Sequence, residues 1–386
     1  MWEVCTIPRR ISNAYPLARS GLNWQERFSL LIKCKSARIV LPIDPARNLE
    51  ARQRLVAALR TQRTLGVTGA GVSAYAGYGT WWGVLHRLAE EVERQSRGAV
   101  PDADVVINAN PDPLHCAREL GRLLGDARFQ RFVQAEFQPR TTTPHDVLYR
   151  IANLPFAHFL TFNFDTSNER VHEAIGRPCA SITTANDGQL LEFLRNFDGA
   201  EYARTSVHIH GLYSDPIDRI VLTNAGYARL YRSNNFFRQA LWSLAISRQL
   251  VFLGYSFNDA AFNKVMTDVA WDLGEDQEPY HFAVLPIWPA EDDASVRNTY
   301  NDTYLIEPVF YELRGDRNAP DYGAFVELMT GIANELGAGG APGRLVIPEE
   351  VRPAVNEAGP GQDDLRRARE LGDAILDRFD PGGEHV

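Results

Sequence analysis

The sequence predicts an α/β fold in which a mostly parallel sheet is covered by helices on both faces and carries a helical insertion after its first strand. Through the second half, short apolar runs alternate with helix-length periodic segments. The first legible unit is a strand, a glycine-rich turn and a helix, in that order. Bulk agrees: 386 residues, 45% hydrophobic and 23% charged, suffice for one large core or two moderate ones.

Residues 1–45 form an arm of short apolar runs mixed with turn residues, in which 38–41 has the character of an accessory strand. Leu49, Leu55, Val56 and Leu59 recur at helical spacing, so a helix is expected over 46–60, followed by a short buried strand at 64–68 that runs into glycines. Helix-length patterns at 82–94 and 113–137 place a helical insertion at about 82–150, before 157–162 returns to strand character. Further strands are expected at 181–184, 207–210, 220–223, 250–255, 281–287 and 305–311. Helices are expected at 189–196, 225–246, 260–273 and 322–336. The central domain is therefore drawn at 46–337. The glycine-rich run 337–343 marks a flexible junction, and 338–386 holds that junction and a C-terminal amphipathic segment over 363–379, with Leu365, Leu371, Ile375 and Leu376 near one face. That segment reads equally as a docking helix or a frayed surface tail.

Several function classes are disfavoured. No stretch approaches the roughly 20 apolar residues a membrane span needs, and residues 1–10 lack a secretory apolar core, so a cytoplasmic protein without membrane contact is expected. A formal charge of -9 argues against a broad phosphate-neutralising surface and direct nucleic-acid binding. Cys5, Cys34, Cys116 and Cys179 lack paired spacing, so neither a disulfide framework nor a thiolate zinc site is expected; buried or idle thiols are. No G-x-x-x-x-G-K-S/T phosphate loop is present, so the chain is not itself such an ATPase.

Gly69-Ala70-Gly71-Val72-Ser73-Ala74 fits the dinucleotide fingerprint G-x-G-x-x-G/A, and it lies where the fingerprint requires, between a strand and a helix. Gly69 suits a sharp turn, Gly71 a close approach to pyrophosphate, and Ser73 a hydroxyl donor. An ordinary tight turn that needs glycine for its dihedrals fits the same residues. Three further segments each end a strand-like run: Leu160 to Asp165, His208 to Gly211, and Phe252 to Asp259. Strand ends converge on the ligand crevice of a parallel sheet. Asn163 is thus a candidate to hold a ribose or a water, Asp165 to accept from ribose or fix Asn163, and His210 to act as base. Gly254 and Ser256 suit a second close approach, and Ala70, Thr80 and Asn258 complete the candidate cofactor-binding set. Taken singly, Asn163 and Asp165 also fit helix caps and His210 a turn histidine, and His208, on the opposite strand face, reads as structural.

The order GAGVS, TFNFD, HIHG and GYSFND resembles the sirtuin superfamily. The resemblance implies a Rossmann-like domain that uses NAD, with Asn163 and Asp165 in the places of the family's asparagine and aspartate and His210 in that of its base. No cysteine lies between Gly211 and Gly254, where sirtuin deacylases carry a zinc module, and the 77–82 segment lacks the family's D-F-R arginine. The chain resembles the zinc-free branch of bacterial antiphage systems, which includes the Thoeris effector, sirtuin-HerA pairs and sirtuins linked to short Argonautes; its near-stand-alone length resembles the sirtuin-HerA subunit best, since the stretch after Gly337 is short for the further domains the other two carry. That likeness implies hydrolysis of NAD as substrate, homo-oligomers and control by a HerA-type ATPase partner. A silent NAD or ADP-ribose sensor and an NAD-dependent deacylase are the alternatives.

Overall fold

A computed structural model describes residues 43–96, 103–197, 204–274, 277–289, 291–316 and 319–338. The accessory strand at 38–41, nearly all of the N-terminal arm, the junction after 338 and the C-terminal segment 363–379 lie outside the described residues.

The fold is Rossmann-like. Its core is a seven-stranded sheet in the order β3-β4-β2-β1-β5-β6-β7, with every pairing parallel. The strands are β1 (Leu65–Thr68), β2 (His158–Thr161), β3 (Ala180–Thr183), β4 (Thr205–His208), β5 (Leu250–Leu253), β6 (His281–Ile287) and β7 (Ile306–Glu312). All but the β3 edge are largely or wholly buried because helices cover both faces, as parallel sheets require. Alternation within β5 shows the two faces. Val251 and Leu253 join one apolar core, while Leu250 and Phe252 join the other. Inside β1, Gly66 leaves the space that the Phe159 ring of β2 fills, since a Cβ there would lie 2.7 Å from that ring.

The first core is built with α1 (Pro45–Arg60), which Asp44 caps by accepting from the Ala46 and Arg47 amides, with Pro45 in the first turn. After β1 come a one-turn helix α2 (Ala70–Ser73) and a 3-10 turn, then the insertion: α3 (Trp81–Ser96), α4 (Asp104–Ala109), α5 (Pro113–Leu124), α6 (Asp126–Phe137) and α7 (Asp146–Asn153). The expected helix over 113–137 is two helices. Gly125, at φ 82°, ends one and starts the next.

The second core lies under α9 (Asp187–Arg195), α11 (Asn235–Ser247) and α12 (Ala260–Leu273), with α8 (Ser167–Ala174) between β2 and β3. Two expectations need correction here. Residues 220–222 are buried but add no strand to the sheet; Val221 N donates to His210 O, and Thr223 is the half-buried cap of the next helix, so the apolar run is a buried loop. The expected helix over 225–246 is broken into a short α10 (Asn224–Tyr227), a π-helical turn (Ala228–Ser233) and α11, which Asn234 starts by accepting from Phe237 N. The wider turn stacks Tyr227 on Tyr231 at 5.6 Å beside β4. The helix α13 (Asp293–Tyr304) was not expected, because its buried face is made mostly by tyrosines and the charged Arg297. A two-stranded hairpin (Arg314–Asp316 with Ala319–Asp321) precedes α14 (Gly323–Ala338).

Two histidines tie this core to pH. His281 is fully buried, its Nδ1 accepts from Leu250 N at 3.2 Å, and burial pushes its pKa down to about 3. Burial pushes His172 down to about 4. Both are neutral in the fold and become protonated more readily in the unfolded chain, near about 6.5. Their contribution is complete above that value and is lost as pH falls toward the folded values. Stability should therefore decline as pH drops from about 6.5, by about 1.4 kcal/mol per pH unit for each histidine. Melting against pH would show this, and His281→Asn, which keeps an acceptor for Leu250 N, should flatten the decline; an unchanged slope would refute the assignment.

Candidate active site

The chain turns β1 into the insertion, builds β2, β3 and β4 on one side, and then crosses to β5 on the other side of β1. The carboxyl ends of β1, β2 and β5 thus flank the point where the strand order reverses, which is where open α/β sheets bind ligands. The sequence-predicted residues gather there.

The glycine turn leaves β1 at Gly69, whose amide donates to Leu253 O at 3.1 Å, and Gly71 N donates to Gly254 O at 3.0 Å. Gly69 has extended dihedrals (φ -113°, ψ -176°), so glycine is not needed there for its backbone angles. Space explains it. A Cβ on Gly69 would stand 2.5 Å from Gly254 O, and one on Gly71 would stand 3.0 Å from Gly254 Cα. The two glycine turns are packed backbone against backbone. Gly254 itself sits at φ +57° with its own Cβ position 2.5 Å from Val72 N. The outward side of this double turn is open: Ala70, Gly71, Ser256 and Asn258 are exposed and Gly254 is half-buried. Phe257, also left-handed at φ 55°, is held by the Asn263 side chain, which donates to its carbonyl.

Asn163 follows β2. Its Nδ2 donates to Gly69 O at 2.9 Å, so the carboxamide spans from the end of β2 to the glycine turn. Asp165 is buried two residues on. Its Oδ2 accepts from Ser73 Oγ at 2.6 Å and its Oδ1 from Ser167 N at 2.9 Å, so it ties the glycine turn to the start of α8. Burial pushes its carboxyl up, against the hydrogen bonds from Ser167 and Ser73. Neither partner is Asn163, and the Ser73 hydroxyl points inward to Asp165 where an outward donor had been expected. A recess of about 10 Å³, with Asn163, Asp165, Thr161 and Thr68 on its polar side and Val72, Leu148, Ile151 and Val171 on its apolar side, has room for about one water. Thr80 caps α3, with its Oγ1 accepting from Gly83 N at 3.3 Å. Arg87 lies against Gly79 and pairs with Glu136 at 2.6 Å.

His210 follows β4 and is nearly buried, its ring standing edge-on to Phe162 at 5.0 Å, next to Asn163 in the chain. Ile209 N donates to Thr161 O at 2.8 Å, which fixes the ends of β4 and β2 together. His210 Nε2 lies 3.1 Å from Asp259 Oδ2 and 3.2 Å from Tyr231 Oη. Asp259 also accepts from Tyr227 Oη at 3.1 Å and, through Oδ1, from the Ala261 and Phe262 amides at the start of α12. Burial alone would raise this carboxyl, but His210, the Phe262 amide and Tyr227 outweigh it and hold it below the usual carboxylate range. A carboxylate at Nε2 selects the tautomer with the proton there and leaves the lone pair on Nδ1. Asp259 and the two tyrosines were missed as site residues. An aspartate before a helix reads as a cap, which it also is, and the tyrosines read as ordinary helix residues.

Cys116 and Cys179 are the cysteines among the described residues. Cys116 is fully buried and burial pushes its thiol up to about 11, Cys179 is pushed up to about 12 for the same reason, and Cys5 and Cys34 lie outside the described residues. Among the described residues there is no group of three or more His, Cys, Asp or Glu side chains placed to hold a metal, and no helix is long and apolar enough to cross a membrane.

Comparison with known proteins follows the same strands. Over 220 residues the chain is 26% identical to a protein named NAD(+) hydrolase ThsA from Enterococcus faecium, a span of 56% of this chain and 42% of that one. Over 210 residues it is 24% identical to a protein of the same name from Cytobacillus dafuensis, a span of 54% of this chain and 38% of that one. The chain thus matches less than half the length of these relatives. Residues 157–309 match the family described as the SIR2-like domain, a stretch that runs from β2 into β7 and carries Asn163, Asp165, His210, Gly254, Ser256 and Asn258, with the glycine turn at 69–73 before it.

Proposed function

We propose that the protein is an NAD hydrolase that cleaves the bond between nicotinamide and ribose, releasing nicotinamide and ADP-ribose. The observation that carries this reading is the convergence of Asn163, on the glycine turn, with the His210–Asp259 pair at neighbouring strand ends of the switch point. Relatives named for NAD hydrolysis support it.

Cleavage leaves an oxocarbenium-like ribose, so the site must orient the glycoside, position a water and stabilise developing charge. The bonding pair of the glycosidic bond goes to the cationic nicotinamide ring, which leaves neutral. Water adds to the ribose carbon. Asn163 orients the nicotinamide ribose and that water. His210 Nδ1 takes the water's proton, and Asp259 stabilises the imidazolium so formed and keeps the ring in register. Asp165 braces the turn and the start of α8. The exposed backbone of Ala70 and Gly71, with Ser256 and Asn258, supplies contacts for the rest of the dinucleotide.

The finer reading is a zinc-free antiphage effector of the sirtuin-HerA kind, acting as a homo-oligomer under a HerA-type ATPase. The zinc-free part is supported by the absence of cysteine from Gly211 to Gly254 and by the order of motifs; the oligomer and the ATPase partner rest on the resemblance and on the apolar positions before Pro42 and after Asp363 in the sequence. Purified protein, with and without such an ATPase, should release nicotinamide from NAD without an acyl-peptide acceptor and hold far less than one zinc per chain. Release only with an acyl-lysine peptide would replace hydrolysis by deacylation, and tight binding without release would make the domain a sensor.

A further inference from the structure

We propose that His208 and Glu169 form a buried, charged clamp that positions Asn163 without touching substrate. Its effect on rate rests on the hydrolase reading above, whereas the clamp itself rests on geometry.

Three bonds hold Asn163. Its amide donates to Thr161 Oγ1 at 3.1 Å, its Nδ2 donates to Gly69 O, and its carbonyl faces His208 Nδ1 at 2.9 Å. The other nitrogen, His208 Nε2, lies 2.7 Å from Glu169 Oε1 of α8. The His208 side chain is fully enclosed and that of Glu169 is 12% exposed, so water does not compete for either group. A carbonyl oxygen can only accept, which places a proton on Nδ1, and the carboxylate places one on Nε2. The ring is therefore an imidazolium. Burial alone would drive its pKa down, but the charge and hydrogen bond of Glu169, the Asn163 carbonyl and the nearby Asp165 raise it. Glu169 is correspondingly held below the usual range, with His208 overcoming its burial. Glu169 is also coupled to Asp165, between β2 and α8, whose buried carboxyl it helps to raise, to His172 on α8, which is neutral, and to Cys179 before β3, whose thiol is held protonated; Arg204, before β4, is felt by the last two.

A buried ion pair is weak evidence for stability and can serve to enforce one arrangement. Here the arrangement enforced is that of Asn163. With the carboxylate present, both ring nitrogens donate and Asn163 O always meets N–H. With an amide in its place, the neutral ring has two tautomers, one of which turns a lone pair onto the Asn163 carbonyl and releases the loop that aims its carboxamide.

The test compares wild type with Glu169→Gln, Glu169→Asp and His208→Gln. In histidine-selective ¹H–¹⁵N spectra of the wild type, one imidazolium should persist well above about 6.5, where ordinary histidines are neutral. It should be absent from Glu169→Gln and His208→Gln and present in Glu169→Asp. The Asn163 carboxamide signal, assigned by its loss in Asn163→Ser, should be resolved and slow to exchange in wild type and averaged in Glu169→Gln. Turnover of NAD by Glu169→Gln should fall roughly 10- to 100-fold in kcat with KM changed far less, as misplacement of an orienting group predicts, and Glu169→Asp should recover most of it. A wild type without the imidazolium, or a folded Glu169→Gln with wild-type kcat, would overturn the clamp. Should Glu169→Gln fail to fold, the wild-type and Glu169→Asp spectra decide. A wild type that binds NAD but never cleaves it would instead defeat the hydrolase reading, and the two sets of signals would still judge the clamp.

Discussion

Alanine at Asn163 or at His210 is expected to lower NAD hydrolysis by roughly 100-fold or more, the usual cost of losing an orienting or proton-accepting group. The two losses have different physical origins. Asn163→Ala removes a carboxamide that hangs between β2 and the glycine turn, where its one recorded bond is to Gly69 O, so the fold loses a single link. His210→Ala leaves Asp259 with Tyr227 and the two amides of α12, so the carboxylate stays satisfied while the base disappears. Asn163→Ala should therefore melt close to wild type, whereas His210→Ala, which vacates a buried ring site against Phe162, Tyr227 and Tyr231, should melt lower but stay folded. Nicotinamide release by chromatography, beside a melting curve for each protein, provides the check. Near-normal turnover by either folded variant would remove that residue from the mechanism.

Much of this arrangement was legible in the sequence, for identifiable reasons. Strands buried on both faces appear as plain apolar runs, so β1, β2, β5, β6 and β7 fell where expected to within two residues or so at each end. Asn163 and His210 stand out as candidates in the sequence because each follows such a run, and the carboxyl end of a parallel strand is where a crevice forms. The partners were not legible. Asp259 lies 49 residues after His210 and carries the local signature of a helix cap, and nothing in that signature reports the histidine across the cleft. Glu169 likewise carries no local signature beyond that of an acid in the first turn of the short helix α8, and only the parallel pairing of β2 with β4 brings His208 to it. The π-helical turn at Ala228–Ser233 was hidden because its residues continue an apolar periodicity that a regular helix would also show. Gly69 and Gly71 were recognised for the right place but for an incomplete reason. Their missing side chains make room for Gly254, 185 residues away from Gly69, before they make room for any ligand.

That packing sets the other large effect, expected for Gly254→Ala. Two penalties act at once: the residue holds φ +57°, and a Cβ would lie 2.5 Å from Val72 N and 2.8 Å from Gly71 C, both backbone atoms that cannot rotate away. The left-handed conformation costs an L-residue about 1–2 kcal/mol, and forcing an extra carbon into a filled space costs about 1–3 kcal/mol. A loss of about 3 kcal/mol is therefore expected, and at an unfolding entropy of about 2.1 cal/mol/K per residue that is about 4–5 °C in melting temperature for a chain of this size. Two further glycines separate the contributions. Gly69→Ala meets Gly254 O at 2.5 Å but has extended dihedrals, so it tests the steric part alone. Gly176→Ala sits at φ +70° at the end of α8 with nothing within 4 Å, so it tests the conformational part and should cost only about 1–2 kcal/mol. Because the Gly69 carbonyl carries the Asn163 carboxamide, Gly254→Ala and Gly69→Ala should also lose hydrolysis well below their melting temperatures, while Gly176→Ala should keep it. Thermal melts and nicotinamide release on the three variants measure both effects. If Gly254→Ala melts no lower than Gly176→Ala, the two turns do not pack as described, and the bridge from the glycine turn to Asn163 loses its foundation.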